Sequence, residues 1–230
     1  MTSAASTMIS AASTQSLTPP EGAKAFLCEH PSAFCTIKRG IDILGSLIGL
    51  LILAIIFVPT AIAIKLDSPG PILYSQERRG LHGHPFQIWK FRSMVRNADR
   101  LRNLVENEAQ GQIFKNAKDP RITRVGRFLR RTSLDEFPQF WNVLKGDMSL
   151  VGTRPPTSEE VERYASHHWQ RLNVKPGLTG EWQVNGRSSI KDFEEIVKLD
   201  LHYQQMWSPL YDLQLIIKTV KHLLWRPDAY

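Results

Sequence analysis

Cysteine is almost absent from this 230-residue chain: Cys28 and Cys35 are the only two, which excludes a disulfide framework and a zinc site of paired CxxC motifs. There is no GxxxxGK[ST] loop, no GxGxxG loop and no HExxH pair, which disfavours P-loop and Rossmann nucleotide binding. Side-chain charge is missing before Glu21, where Ser, Thr and Ala leave little to bury. Residues 1–37 therefore read as a disordered Ser/Thr/Ala-rich tail. The tail has neither the basic start and apolar centre of a secretory signal nor the arginines of a transit peptide, since the first arginine is Arg39. No internal repeat is visible.

What the chain does have is positive charge. Lys and Arg number 29 against 22 Asp and Glu, for a net charge of +7, which suits nucleic acid, phosphorylated substrates or an acidic lipid surface. The length allows one large domain or two small ones with a real core. Average composition fits neither an extended disordered chain nor a polytopic membrane protein.

That average conceals one uneven stretch. Ile43 to Ile64 holds 22 residues without a charge. As a straight helix it would extend roughly 33 Å, about the hydrocarbon thickness of a bilayer. A core helix of a soluble protein rarely stays apolar on every face for so long. Pro59 removes a backbone donor and predicts a kink. Lys38 and Arg39 precede the run, and Lys65, Arg78, Arg79, Lys90 and Arg92 follow it. Two positive flanks fit a helix that enters, bends and leaves on one side, although the downstream excess can also orient a single span.

Beyond the run the pattern is mixed. ILYS and GHPFQIWKFRSM predict two strands, and residues 94–110 predict a charged helix with a stripe at Leu101, Leu104 and Val105. Thr157 with Glu160 is a capping box opening a helix to about Leu172, and PGLTGEWQVNGRSS reads as a loop or bent strand. Ser208-Pro209 start a last helix that either packs on the body or lies in a membrane interface.

Seven basic residues and a single acid, Asp119, fill 115–131, with Val125, Phe128 and Leu129 as an apolar stripe. This amphipathic basic helix is either a solvated or membrane-facing surface, or a phosphate site suited to the planar donors of Arg. TSLDEFPQFWNVLKGDMSLVGTRPP comes next. Ser133 stands three residues before Glu136, so Asp135 and Glu136 can be acids complementing a helix dipole. The same adjacent carboxylates, with arginines just upstream, can hold a divalent cation against a diphosphate, while one of them attacks phosphorus. His167 and His168 read as surface residues, Asp147 as structural, and Trp182 and Trp207 as packing residues. Gln183 and Arg187 are candidates for a nucleotide pocket.

KRGIDILGSLIGLLILAIIFVPTAIAIKLDSPGPILYSQERRG, KFRSM, RRTSLDEFPQFWNVLKGDMSLVGTRPP and KPGLTGEWQVNGRSS together closely resemble the monotopic phosphoglycosyl transferases, also called bacterial sugar transferases. The resemblance runs from about Lys38 to near the C-terminus. It implies transfer of a sugar 1-phosphate from a nucleoside diphosphate sugar, usually a UDP-sugar, to a polyprenyl phosphate, usually undecaprenyl phosphate, with UMP released. By the same resemblance Asp135 is the nucleophile of a ping-pong reaction, Glu136 its neighbouring acid, and Mg²⁺ is required, held by both. Arg130, Arg154 and Lys90 match basic positions at the substrate phosphates, and Pro59 matches the break of a re-entrant helix. Val58 replaces a frequent serine and Thr153 a frequent proline, so the local geometry at both places is expected to depart from the family's.

The expected fold is α+β and helix-dominated: a re-entrant membrane helix over 38–66, a catalytic domain with short strands over 67–230, and amphipathic interface helices. The expected location is the cytoplasmic face of a bacterial inner membrane, against inner-leaflet lipids, with no nucleic acid partner and a homodimer left open. Without the additional membrane helices of larger relatives, the chain looks like the minimal catalytic unit. Two rival readings are a membrane-anchored basic scaffold or nucleic-acid-binding protein, and a metal-dependent phosphatase.

Overall fold

The computed structural model describes residues 17–114, 116, 118–186, 190 and 192–225. A single turn, α1 (Glu21–Lys24), and a 3-10 turn at Pro31–Ala33 precede the apolar run, which folds as one 32-residue helix, α2 (Thr36–Asp67). At 1.5 Å per residue α2 is about 48 Å long. Pro59 lies inside it and does not end it. By length and composition α2 can cross a membrane. Its two sides differ sharply. Lys38, Asp42, Ser46, Gly49, Thr60, Ala61 and Ile64 recur at helical spacing and are buried. Leu44, Leu51, Ile55, Val58, Ile62 and Leu66 are each more than half exposed.

The body against which α2 lies begins with an antiparallel hairpin, β1 (Leu73–Arg79) and β2 (Pro85–Phe91), in register from Leu73 opposite Phe91 to Arg79 opposite Pro85. Next comes α3 (Arg124–Arg131), capped by the Thr123 hydroxyl accepting from the Gly126 N–H. A 3-10 turn at Leu134–Gln139 leads into α4 (Phe140–Lys145), which Gly146 ends in the left-handed region at φ 93°. Two three-residue strands, β3 (Ser149–Val151) and β4 (Gly177–Thr179), pair in parallel around α5 (Ser158–Glu162) and a 3-10 segment, Ser166–Asn173. Finally α6 (Glu181–Asn185), α7 (Phe193–Met206) and α8 (Pro209–Trp225) complete a helix-dominated chain.

Three buried clusters hold these parts together. Trp169, Trp182, Phe193 and Ile196 fill one, and Val143, Met148, Val151, Tyr203 and Leu215 another. The third joins the membrane-type helix to the body through Ile64, Phe91 and Leu129. Further along α2, the Phe140 ring comes so near that a Cβ at Gly49 would meet it at 2.4 Å. Polar bonds reinforce the contact: Asp42 accepts from the Ser149 hydroxyl and the Leu150 N–H, both at 2.9 Å.

Several sequence expectations need correction. Residues 17–35 were expected within a disordered tail, yet Ala23 is fully buried and Asn173 binds both the Cys28 N–H and the Phe26 carbonyl. The helix expected over 94–110 is only a 3-10 stretch at Ala98–Leu104, entered through Asn97 at φ 62°, and Leu104 of its stripe is 80% exposed. The helix from Thr157 stops at Glu162, because Ala165 is extended and gives its N–H to His168 Nδ1. The stretch from Pro176 read as a loop or bent strand does contain a short strand, β4, but continues into a helix, α6. Among the described residues of the basic stretch only 124–131 is helical; Arg121 is buried outside it against Asp119 at 2.6 Å. On α8 the apolar residues divide: Leu215 is buried, whereas Leu213, Ile217 and Val220 face outward.

Candidate active site

KFRSM, at the end of β2, sends successive side chains to different neighbours. Lys90 Nζ donates to Glu136 Oε1 at 2.7 Å. Phe91 is buried against Phe57 of α2, ring centroids 5.6 Å apart. Arg92 donates to the Ser68 carbonyl at 2.6 Å and to the Pro69 carbonyl, at the C-terminal end of α2 where a cation complements the exposed carbonyls. Ser93 Oγ accepts from Arg130 Nε at 2.9 Å. This last bond depends on a close approach: a Cβ at Gly126 would meet the Ser93 carbonyl oxygen at 1.9 Å, so only glycine lets α3 come so near.

Asp135 and Glu136 lie in the first turn of Leu134–Gln139, which packs on β2. Asp135 is buried and Glu136 partly exposed. Their expected capping box is absent, since Ser133 sits at φ 55° and its side chain caps nothing. The Glu136 carboxylate reaches across to Lys90. A partly exposed carboxylate held beside a cation is an arrangement that a helix dipole does not require.

Arg154 donates to Glu160 Oε2 at 3.0 Å, and the same carboxylate completes the capping box with Thr157. Burial alone would raise Glu160, but Arg154 and then Arg78 outweigh it and hold the carboxyl below its ordinary value. Arg78 is the residue that sequence reasoning missed as a site residue. Its Nη1 donates to the Pro155 carbonyl at 3.0 Å and its Nη2 to Gln76 Oε1 at 2.7 Å. Burial, and next the neighbouring Arg154, push its guanidinium down to about 10, while Glu160 and Glu136 pull it the other way. Arg78 thus lies within electrostatic reach of both Glu136 and the Arg154 loop. The signal was alternation: Tyr74 opposes Lys90 in the hairpin, so Tyr74, Gln76 and Arg78 share the face from which Lys90 projects.

The remaining candidates divide. Arg130 is joined to the Lys90 segment through Ser93. Gln183 stands apart on α6, its buried Oε1 without a partner among the described residues, beside the crossing of Gly180 and Gly152. Arg187 lies outside the described residues. Asp147 accepts from Asn142 and Lys145, a structural role, and the Trp207 indole N–H donates to Asp212.

Among the described residues metal chemistry has two places to be tested. His167, His168 and Glu194 are near enough to share an ion. However, His168 Nδ1 accepts the Ala165 N–H, so Nε2 carries the proton and donates to Glu194 at 2.7 Å, leaving no lone pair for a metal. Burial holds this imidazole below its usual value. His168 is therefore a buried structural residue rather than the surface residue expected. Asp135 and Glu136 offer hard oxygen donors, which fits Mg²⁺ completing its shell with substrate phosphate and water.

A family model described as bacterial sugar transferase matches residues 33–226. The galactosyl transferase CpsE of Streptococcus agalactiae serotype III is 51% identical over 81% of this chain and 42% of its own length. The undecaprenyl-phosphate galactose phosphotransferase of Salmonella typhimurium is 44% identical over 89% of this chain and 43% of its own. For the UDP-glucose:undecaprenyl-phosphate glucose-1-phosphate transferase of Escherichia coli K12 the figures are 41%, 80% and 39%. The chain spans about two fifths of the length of these relatives.

Proposed function

Because the chain belongs to the bacterial sugar transferase family, we propose that it moves a sugar 1-phosphate from a UDP-sugar to undecaprenyl phosphate, giving undecaprenyl diphosphate sugar and UMP. The names of the Salmonella and Escherichia coli relatives supply the acceptor, and the latter also the donor class. One observation carries the site assignment: Asp135 adjoins a glutamate paired to Lys90, with Arg78 and Arg130 on the flanks.

In this reading the Asp135 carboxylate attacks the sugar-bearing phosphorus. The bond from that phosphorus to the bridging oxygen breaks, and UMP leaves with the electron pair. An oxygen of the lipid phosphate then attacks the aspartyl phosphosugar and returns Asp135 as a carboxylate. Lys90 orients Glu136 and offsets its charge. Arg78 and Arg154 supply cations for the diphosphate, and Arg130, aligned by Ser93, supplies another for either phosphate. Asp135 and Glu136 would hold Mg²⁺, which supplies charge neutralisation at the diphosphate.

The proposed location is the cytoplasmic face of the inner membrane, with α2 re-entrant rather than spanning. A perpendicular span would carry the two ends of a helix of about 48 Å to opposite sides of the bilayer. Lys38 near the start bonds Asp212, however, and Asp67 at the end accepts from the Val125 N–H, both on one body. Tags at both termini should be shielded from reagent outside intact cells. Labelling of the N-terminal tag alone would show a spanning helix.

The reaction is tested by screening UMP release over a panel of UDP-sugars with undecaprenyl phosphate and Mg²⁺. Wild type should release UMP in a single turnover even without lipid. Asp135→Asn should lower transfer by more than about a thousandfold. Turnover of that variant at the wild-type rate would remove Asp135 from the mechanism. Free sugar phosphate as the main product would favour a phosphatase.

A further inference from the structure

Where the last turns of α2 meet α3, a groove of about 500 Å³ is lined by Ala63, Leu66, Asp67, Arg124, Val125 and Phe128. Its walls are apolar and open, with Leu66 84% and Phe128 50% exposed. Its rim is cationic, since Arg124 and, three residues on, Arg127 are both exposed. The single lining acid is already engaged: Asp67 Oδ2 accepts from the Val125 N–H at 2.9 Å and the carboxylate also bonds the Thr123 side chain. Greasy walls beneath a positive rim match a lipid with an anionic head.

Continuity decides which lipid. From the groove α3 runs into Arg130 and Arg131, and the turn bearing Asp135 follows within three residues of its end. Val125 and Leu134, one at each end of this path, pack on the same Ile64–Phe91–Leu129 cluster. The eight residues of α3 amount to about 12 Å, so a head group at Arg124 and Arg127 is within about a helix length of the site.

We propose that this groove is the docking site of the polyprenyl phosphate acceptor, with the first isoprene units against Leu66 and Phe128 and the phosphate at Arg124 and Arg127. The inference rests on the transferase reading above and adds where the acceptor waits before it meets the aspartyl intermediate.

The test uses the full chain in detergent with a donor found by the UMP screen. Arg124→Glu combined with Arg127→Glu, and separately Phe128→Ser, should each raise the KM for undecaprenyl phosphate by at least about tenfold, while the KM for the UDP-sugar stays within about twofold. Single-turnover UMP release without lipid should persist in both variants, which also shows that they fold. Phe128→Leu should restore the lipid KM. An unchanged lipid KM, or equal loss of the donor and lipid steps, would overturn the proposal. So would competition by equimolar phosphatidylglycerol, which would make the groove a general head-group site. A wild type that releases UMP from no donor would instead sink the transferase reading, so the two failures are distinct.

Discussion

Lys38 meets Asp212 at 2.6 Å with side chains only 5% and 2% exposed, whereas Lys90 meets Glu136 at 2.7 Å with 28% and 26% exposed. The two ion pairs have nearly the same length and chemistry, but different surroundings. Lys38 also donates to the Val151 carbonyl, and Asp212 also accepts from the Tyr203 hydroxyl and the Trp207 indole. Every strong valence of that pair is used inside the protein. Glu136 stands instead partly open to solvent, with Arg78 in electrostatic reach. A saturated, dry pair fixes geometry, while an open pair leaves charge for a substrate. Water access, more than distance, separates the two roles.

Breaking the closed pair should have the larger effect on folding. Lys38→Met leaves a buried carboxylate unpaired and should cost about 3–5 kcal/mol of stability. The double variant Lys38→Met with Asp212→Leu should recover most of that loss in thermal unfolding of the detergent-solubilised protein. If the single variant melts like wild type, the Lys38 pair is not a structural lock.

Breaking the open pair should do the reverse. A partly exposed pair contributes about 1 kcal/mol or less, so Lys90→Met should hardly move the melting temperature. Turnover should nevertheless fall about ten- to a hundredfold, because a preorganised charge beside the carboxylates proposed to react is lost. Wild-type turnover in Lys90→Met would show that the pair is only structural, and the contrast between the two lysines would dissolve.

The same contrast explains what was legible in the sequence. Thr157 with Glu160 and Ser133 with Glu136 share one spacing, yet only the first forms a capping box. Glu136 has a competitor in Lys90, which a strand 46 residues earlier brings to it, and local spacing carries no record of that. The hairpin and the start of α8 were readable because alternation and a Ser-Pro step are local signals. The parallel pairing of β3 and β4 was not, since three-residue strands are too short for a pattern. Lys38 looked like a flanking charge of an apolar run, although it is buried on that helix's inner face. The acid pair and KFRSM stood out in the sequence, but Arg78 emerged only once the strand register was known.

The inner face of α2 contributes hydrophobic wall, hydrogen-bond partners and counter-charges to the body from Lys38 through Asp42, Gly49 and Ile64. The proposed anchor and the core are consequently one object. Cutting the chain after Asp67 would not liberate a soluble half, because it would strip a side from the interior, take the cation from Asp212 and take the acceptor from the Ser149 hydroxyl. Among the described residues no seam parts the greasy portion from the watery one, so the helix proposed to hold the protein to a bilayer also helps to hold the turn bearing Asp135 and Glu136 in shape.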